Sequence, residues 1–216
     1  MRHLAALTLA AVLATTAAQA QSVLFSTGNM VQANGTLISG ANRVAAERFT
    51  LSYAATITQF DFSNWMVDAT GASATDTPLT IDWIISDTGI GGIVLASGSA
   101  AALTVVAGTT STFSVGGITT ATQSQVSFDP GSLMLSAGDY WLELSHEAST
   151  PAISGSVSAR WGGSDSGLSN AETYNGTTLF TSQPDHFLEV TGIPEPASLA
   201  LLAGALATLG IARRRA

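Results

Sequence analysis

Cysteine and lysine are both missing from this sequence, and only 10% of its residues are charged. Without cysteine there can be no disulfide, no thiol nucleophile and no Cys-ligated zinc or iron–sulfur centre. The fold must then rest on an apolar core, aided at most by bound ions. Without lysine, all seven basic residues are arginines, and four of them (Arg2, Arg213, Arg214 and Arg215) lie at the chain ends. Between the ends, Arg43, Arg48 and Arg160 stand against fourteen acids, a formal charge of −11. So acidic a body argues against nucleic acid and anionic lipid as partners, because both need cations to neutralise phosphates.

The ends carry what the middle lacks, long apolar runs. Arg2 precedes an almost wholly apolar stretch from Leu4 to Ala18, and Ala18-Gln19-Ala20 has the small-x-small pattern of a cleavage site. Residues 1–20 are therefore expected to be a secretory signal peptide, leaving Gln21 as the mature N-terminus. At the other end, Ile193-Pro194-Glu195-Pro196 introduces an uncharged run from Ala197 to Ala212, closed by Arg213, Arg214 and Arg215. As a helix that run would span roughly 24 Å, against a hydrocarbon core of about 30 Å. Snorkelling arginine stems make up much of the difference. The prolines favour a helix start just after them, and the arginines hold the C-terminus on the cytoplasmic side. Both ends put the middle of the chain outside the cytoplasm.

The three parts of residues 193–216, in this order and at the terminus, closely resemble the PEP-CTERM sorting signal. That signal is found on exported proteins of Gram-negative bacteria that make exopolysaccharide. Pro194, Glu195 and Pro196 match its namesake motif, followed by a single transmembrane helix and a basic anchor at Arg213, Arg214 and Arg215. The resemblance implies transient insertion in the inner membrane and processing by an exosortase, a multi-spanning membrane peptidase. Transfer to the cell surface or extracellular matrix follows. The N-terminal signal implies the Sec translocon and a signal peptidase, cutting after Ala18-Gln19-Ala20, as earlier partners.

The remaining residues, 21–192, make one domain of ordinary size. Leu79, Ile81, Trp83 and Ile85 alternate with mostly polar residues, as do Tyr140, Leu142 and Leu144, and Val157, Ala159 and Trp161. A two-residue period is that of strands. Further strands are expected at 48–53, 56–67, 93–97, 111–115, 125–128 and 187–191. Turn signals separate them: Asn34-Gly35, Gly91-Gly92, Gly116-Gly117, Asp129-Pro130-Gly131, Ala137-Gly138-Asp139, Gly162-Gly163 and Asn175-Gly176. No amphipathic helix, internal repeat or long linker is evident. The expected class is all-β, an antiparallel β-sandwich of jelly-roll type. Glu47-Arg48-Phe49-Thr50, Gly138-Asp139-Tyr140-Trp141-Leu142 and Trp161-Gly162-Gly163 also resemble a sandwich type common among proteins with this tail.

Chemistry-bearing patterns are few. His146 and His186 have no Gly-x-Ser-x-Gly elbow to serve, so both are expected as polar strand-end residues in water. Glu143 and Glu147 share a strand face, but at i, i+4 they stand about 13 Å apart, too far for glycoside acid/base geometry. Asp61, Asn64 and Asp68, or Asp87 before a Gly-rich turn, offer oxygens that calcium accepts, without an EF-hand signature. The favoured expectation there is a hydrated loop and no cofactor. Trp141 should point away from the core beside Glu143, where its face could stack on a sugar ring, unless a loop or second sheet covers it. Trp65 and Trp161 share that ambiguity, and Trp83 reads as core.

The expectation is thus an exported, exosortase-processed surface or matrix protein with no enzymatic activity and no nucleic-acid partner. An alternative is a carbohydrate-binding module for exopolysaccharide. A polysaccharide hydrolase is the less favoured alternative.

Overall fold

The computed structural model describes residues 20–39, 42–67, 77–106, 110–115, 118–150 and 158–195. The expectations for Ala18, Asp68, Pro196, the apolar run after it and Arg213, Arg214 and Arg215 lie outside these residues. Among the described residues, no helix is long and apolar enough to cross a membrane.

Among the described residues, fifteen strands follow one another without a helix: β1 (Ser22–Ser26), β2 (Met30–Leu37), β3 (Arg43–Leu51), β4 (Ala55–Val67) and β5 (Thr77–Ser86). Then come β6 (Val94–Ala100), β7 (Thr104–Val106), β8 (Thr110–Val115), β9 (Ile118–Phe128) and β10 (Leu133–Leu135). The last five are β11 (Gly138–Thr150), β12 (Ser158–Ser164), β13 (Ala171–Asn175), β14 (Leu179–Gln183) and β15 (Leu188–Pro194). One sheet has nine strands. Its backbone runs β1-β15-β4-β12-β2, with β9 and β10 along the opposite edge of β4 and β7 and β8 on β9. The second has six, in the order β14-β13-β3-β11-β5-β6. The strands alternate between the two sheets from β2 to β5 and again from β10 to β13.

The apolar positions of the two sheets meet in a single core. Phe60 and Phe62 of β4, Phe128 of β9 and Trp161 of β12 come from the first sheet; Phe49, Ile81, Trp83, Ile85, Leu142 and Leu144 come from the second. Phe49 meets Phe60 edge-on at 6.0 Å and Trp83 stacks on Phe128 at 6.2 Å, so aromatic contacts cross between the layers. The strict alternation read in β5 places Ile81, Trp83 and Ile85 in this core, as expected.

Two expected turns are instead strand interiors. Asn34-Gly35 lies in β2 and Gly162-Gly163 in β12, with Gly162 paired to Gly35. Glycine serves close approach here rather than turning. A Cβ on Gly35 would stand 2.9 Å from the Trp65 ring, and one on Gly162 would stand 2.5 Å from Ser63 Oγ and 2.8 Å from Trp65 Nε1. The indole of Trp65 thus lies flat over two strands that lack side chains beneath it. By contrast, Asn175-Gly176 does turn β13 into β14. There the Asn175 side-chain oxygen accepts from the Thr177 and Thr178 amides at 3.0 and 2.9 Å.

Candidate functional site

Three of the four tryptophans are buried: Trp65 and Trp161 completely and Trp83 at 6% exposure. The ambiguity read for Trp65 and Trp161 resolves to burial, which removes both from any ligand surface. Trp141 alone is only half-buried. On β11 it stands opposite Arg48 of β3 and Ser86 of β5, on the face turned away from the core residues Leu142 and Leu144.

Part of that face is covered. The turn between β5 and β6 folds over it, with the Ile90 amide donating to Glu172 Oε2 at 3.0 Å and Ser86 Oγ donating to the Gly89 carbonyl at 3.0 Å. Asp87 closes the turn by accepting from the Ile93 amide at 2.8 Å. Glu143 is buried next to this turn; desolvation raises its pKa, Glu172 adds to the rise and a hydrogen bond from Ser86 opposes it. Ala46 lies between Glu143 and Glu172 in the ladder, which puts the two acids' Cα atoms about 10 Å apart. The neighbour of Glu143 is therefore Glu172, from a strand no local pattern could nominate. Glu147, the partner considered from sequence, falls where the pairing of β11 with β5 shifts register, and its side chain lies outside the described residues. The same holds for His146.

Beside Arg48 the second sheet opens. β11 pairs with β3 as far as Leu51, whereas β13, on the opposite edge, pairs only from Arg43 to Glu47. Among the described residues no strand continues beyond Glu47, and a cleft of about 490 Å³ occupies the gap. Phe25 to Gly28 form one wall, Ser166, Leu168 and Asn170 another, and Arg48 and Thr50 come from β3. Asp139 positions the β3 side chains by accepting from Arg48 at 2.7 Å and Thr50 at 2.6 Å. Those two bonds hold its pKa below the usual carboxylate range. Asp185, 3% exposed, also lines the cleft, with its oxygens accepting from Ser166 Oγ and the Asn170 amide at 2.6 Å each.

Behind Asp185 is the main departure from the sequence reading. His186 is not a solvated strand-end residue; it is 2% exposed, and its ring stacks on Trp161 at 4.9 Å. Its Nε2 contacts Thr36 Oγ1 at 2.8 Å, while its amide donates to Glu47 Oε2 at 2.6 Å. Glu47 is fully buried. Burial, reinforced by the Asp185 carboxylate, raises its pKa to about 9, and burial lowers that of His186 to about 4. The 3.5 Å approach of Glu47 Oε2 to His186 Nδ1 is thus a contact of two neutral groups at neutral pH rather than an ion pair. A hydroxyl, an imidazole and a carboxyl in series resemble a catalytic relay, but here the imidazole and the carboxyl are buried in the core.

The oxygens considered for calcium do not converge. Asp61 and Asn64 lie on opposite faces of β4, one beside Ser127 and Glu189 and the other opposite the core residue Trp161. Asp61 already accepts from Gln59 Nε2 at 2.9 Å, Gln125 Nε2 at 3.1 Å and Ser127 Oγ. Among the described residues no three His, Cys, Asp or Glu side chains group as a metal site would need.

The two ends of the described body meet at the start of β4. Ser22 of β1 pairs with Gly192 of β15, and the Gln21 side chain reaches Thr58. Ile193 and Pro194 pair with Thr56 and Ala55, so the first residues of the Ile-Pro-Glu-Pro motif belong to β15. Glu195 continues the contact, its amide donating to the Ala54 carbonyl at 2.8 Å and its Oε1 accepting from Thr56 Oγ1 at 2.9 Å. No protein-family model matches the chain, and no curated protein matches it.

Proposed function

We propose that the chain is an exported surface or matrix protein, held at the inner membrane by both ends during export and then released by processing at each. The body is read as non-enzymatic, with a jelly-roll-like arrangement supported by the alternation of strands between sheets from β2 to β5 and from β10 to β13. One observation carries the reading beyond the sequence. Gln21 and Glu195, the residues beside the two expected processing points, lie side by side on β4, next to Thr58 and Thr56. A body whose ends leave from one pole can sit between an N-terminal signal and a C-terminal span in the same membrane without strain.

Intact-mass measurement on protein from the native host tests this directly. The expected product begins at Gln21 and lacks the apolar run and its arginines; recovery of the full 216-residue chain would overturn the reading. Glu195→Gln is expected to accumulate as a longer, membrane-bound precursor. Glutamine can still accept from Thr56, so the strand end stays docked while the charge of the motif is lost. Processing of this variant at the normal rate would show that Glu195 is not part of a recognised signal.

A second reading, carbohydrate binding, is favoured by the half-buried Trp141 and the cleft that opens one strand away from it.

A further inference from the structure

We propose that the cleft beside Arg48, together with the Trp141 indole, binds a neutral carbohydrate chain, one ring entering the cleft and the next lying on Trp141. This rests on the second reading above and gives it a site and a ligand class. The size is suitable, since small-molecule pockets run from about 300 to 1,000 Å³ and this one is about 490 Å³. The lining mixes the hydroxyls of Thr50 and Ser166 with the apolar surfaces of Phe25 and Leu168. Sugar rings present the same mixture of C–H faces and O–H edges. The main chain of β3 from Arg48 to Leu51, which no described strand pairs on this side, adds donors and acceptors along one flank.

Charge decides the class of sugar. Arg48 is held by Asp139, and both oxygens of Asp185 are already engaged by Ser166 and Asn170. The cleft therefore offers no unpaired charge to an anionic ligand. Around it lies a body with fourteen acids and three arginines, which repels polyuronates and sulfated glycans. An extended peptide is the other occupant that a strand edge can take. Here the free edge is only Arg48 to Leu51, shorter than the usual strand of about five or six residues. Trp141 stands directly opposite Arg48, which lines the cleft, and shares its face of the sheet.

The burial of the other tryptophans supplies the assay. Trp65, Trp83 and Trp161 are in the interior, so a ligand that touches the protein here changes the emission of Trp141 and leaves the other three alone. The mature protein from its native host would be titrated with neutral hexasaccharides of glucose and mannose, with a hexauronate and with an extended heptapeptide. The expected result is a saturable emission change with a neutral hexasaccharide only, absent in Trp141→Phe. Leu168 is 60% exposed, so Leu168→Arg should fold normally while crowding the cleft mouth. It is expected to weaken binding, read by calorimetry, by about tenfold or more, with an unchanged melting temperature. Trp141→Ala should cost up to about tenfold, the value of one aromatic contact.

No emission change with any neutral sugar overturns the proposal, as does binding that Leu168→Arg leaves intact. Preference for the hexauronate or the peptide also overturns it. Correct processing and surface placement with no sugar binding would leave the export reading standing and remove this site alone.

Discussion

Replacing Trp161 by alanine should lower stability by about 3–5 kcal/mol, the usual loss for a large buried aromatic. Trp161 is fully buried, packs edge-on against Phe62 at 6.1 Å and stacks on His186 at 4.9 Å. Its Nε1 also donates to the Phe187 carbonyl at 2.8 Å, so truncation removes a buried bond along with the packing. Typical domains are stable by only about 5–15 kcal/mol in total, so this change takes a large share. At about 2–4 °C per kcal/mol for a chain of this size, the melting temperature should fall by roughly 6–20 °C. Trp161→Phe keeps a ring but not the N–H donor, and its loss should lie between wild type and the alanine variant. A melting temperature for Trp161→Ala within about 2 °C of wild type would show that the ring is not packed as described.

Glu47→Gln should do the opposite and stabilise the protein at neutral and alkaline pH. The folded-state pKa of Glu47 is raised from 4.5 to about 9 by burial and by Asp185. Between those values the folded protein keeps a proton that the unfolded chain gives up, so stability falls as pH rises through the window. At pH 7 the accumulated cost is about 3 kcal/mol relative to a neutral isostere. Glutamine can still accept from the His186 amide, so that bond survives. His186 has the contrary sign. Its pKa is lowered from 6.5 to about 4, so its contribution is complete above 6.5 and lost as pH falls toward 4.

The two slopes oppose each other between about pH 4.5 and 6.5 and largely cancel there. Wild type should therefore decline from about pH 6.5 toward 9, whereas Glu47→Gln should lose most of that decline and gain its stability through the same range. Glu143 and Glu189 also have raised pKa values, whose effect on stability has the same sign and is common to both proteins. The difference between the two proteins isolates Glu47. Urea unfolding at pH 5, 7 and 9 measures it. Equal stability of the two proteins at pH 9 would mean that Glu47 is not buried as an uncompensated acid.

Some of this architecture can be read in the chain alone. β5 and β11 announce themselves because a strand buried mainly on one face alternates, and alternation is a local property of consecutive residues. Asp129-Pro130-Gly131 and Asn175-Gly176 are legible for a similar reason, since a tight turn is made by neighbours. The apolar and basic ends are equally local: their uncharged runs and arginines are read directly from composition. Taken alone, the sequence determines an all-β body between two apolar ends, acidic and without thiol chemistry.

Only the tertiary structure decided which side of each strand is covered, because that depends on residues far away in the chain. Trp161 and Trp141 sit in similar alternating patterns, yet one is sealed by Phe62, His186 and Phe187 and the other is half-open beside Arg48. Gly35 and Gly162 have the signature of turns, but packing of Trp65 makes them strand interiors. His186 reads as a solvated polar residue; its burial comes from Glu47, Thr36 and Trp161, at separations of 139, 150 and 25 residues. The cleft exists because β13 stops at Ala171 while β11 runs on to Gly138, a mismatch in strand length that no single segment records. Local periodicity determines that a strand forms; what the strand buries is set by the neighbour that long-range pairing brings to it.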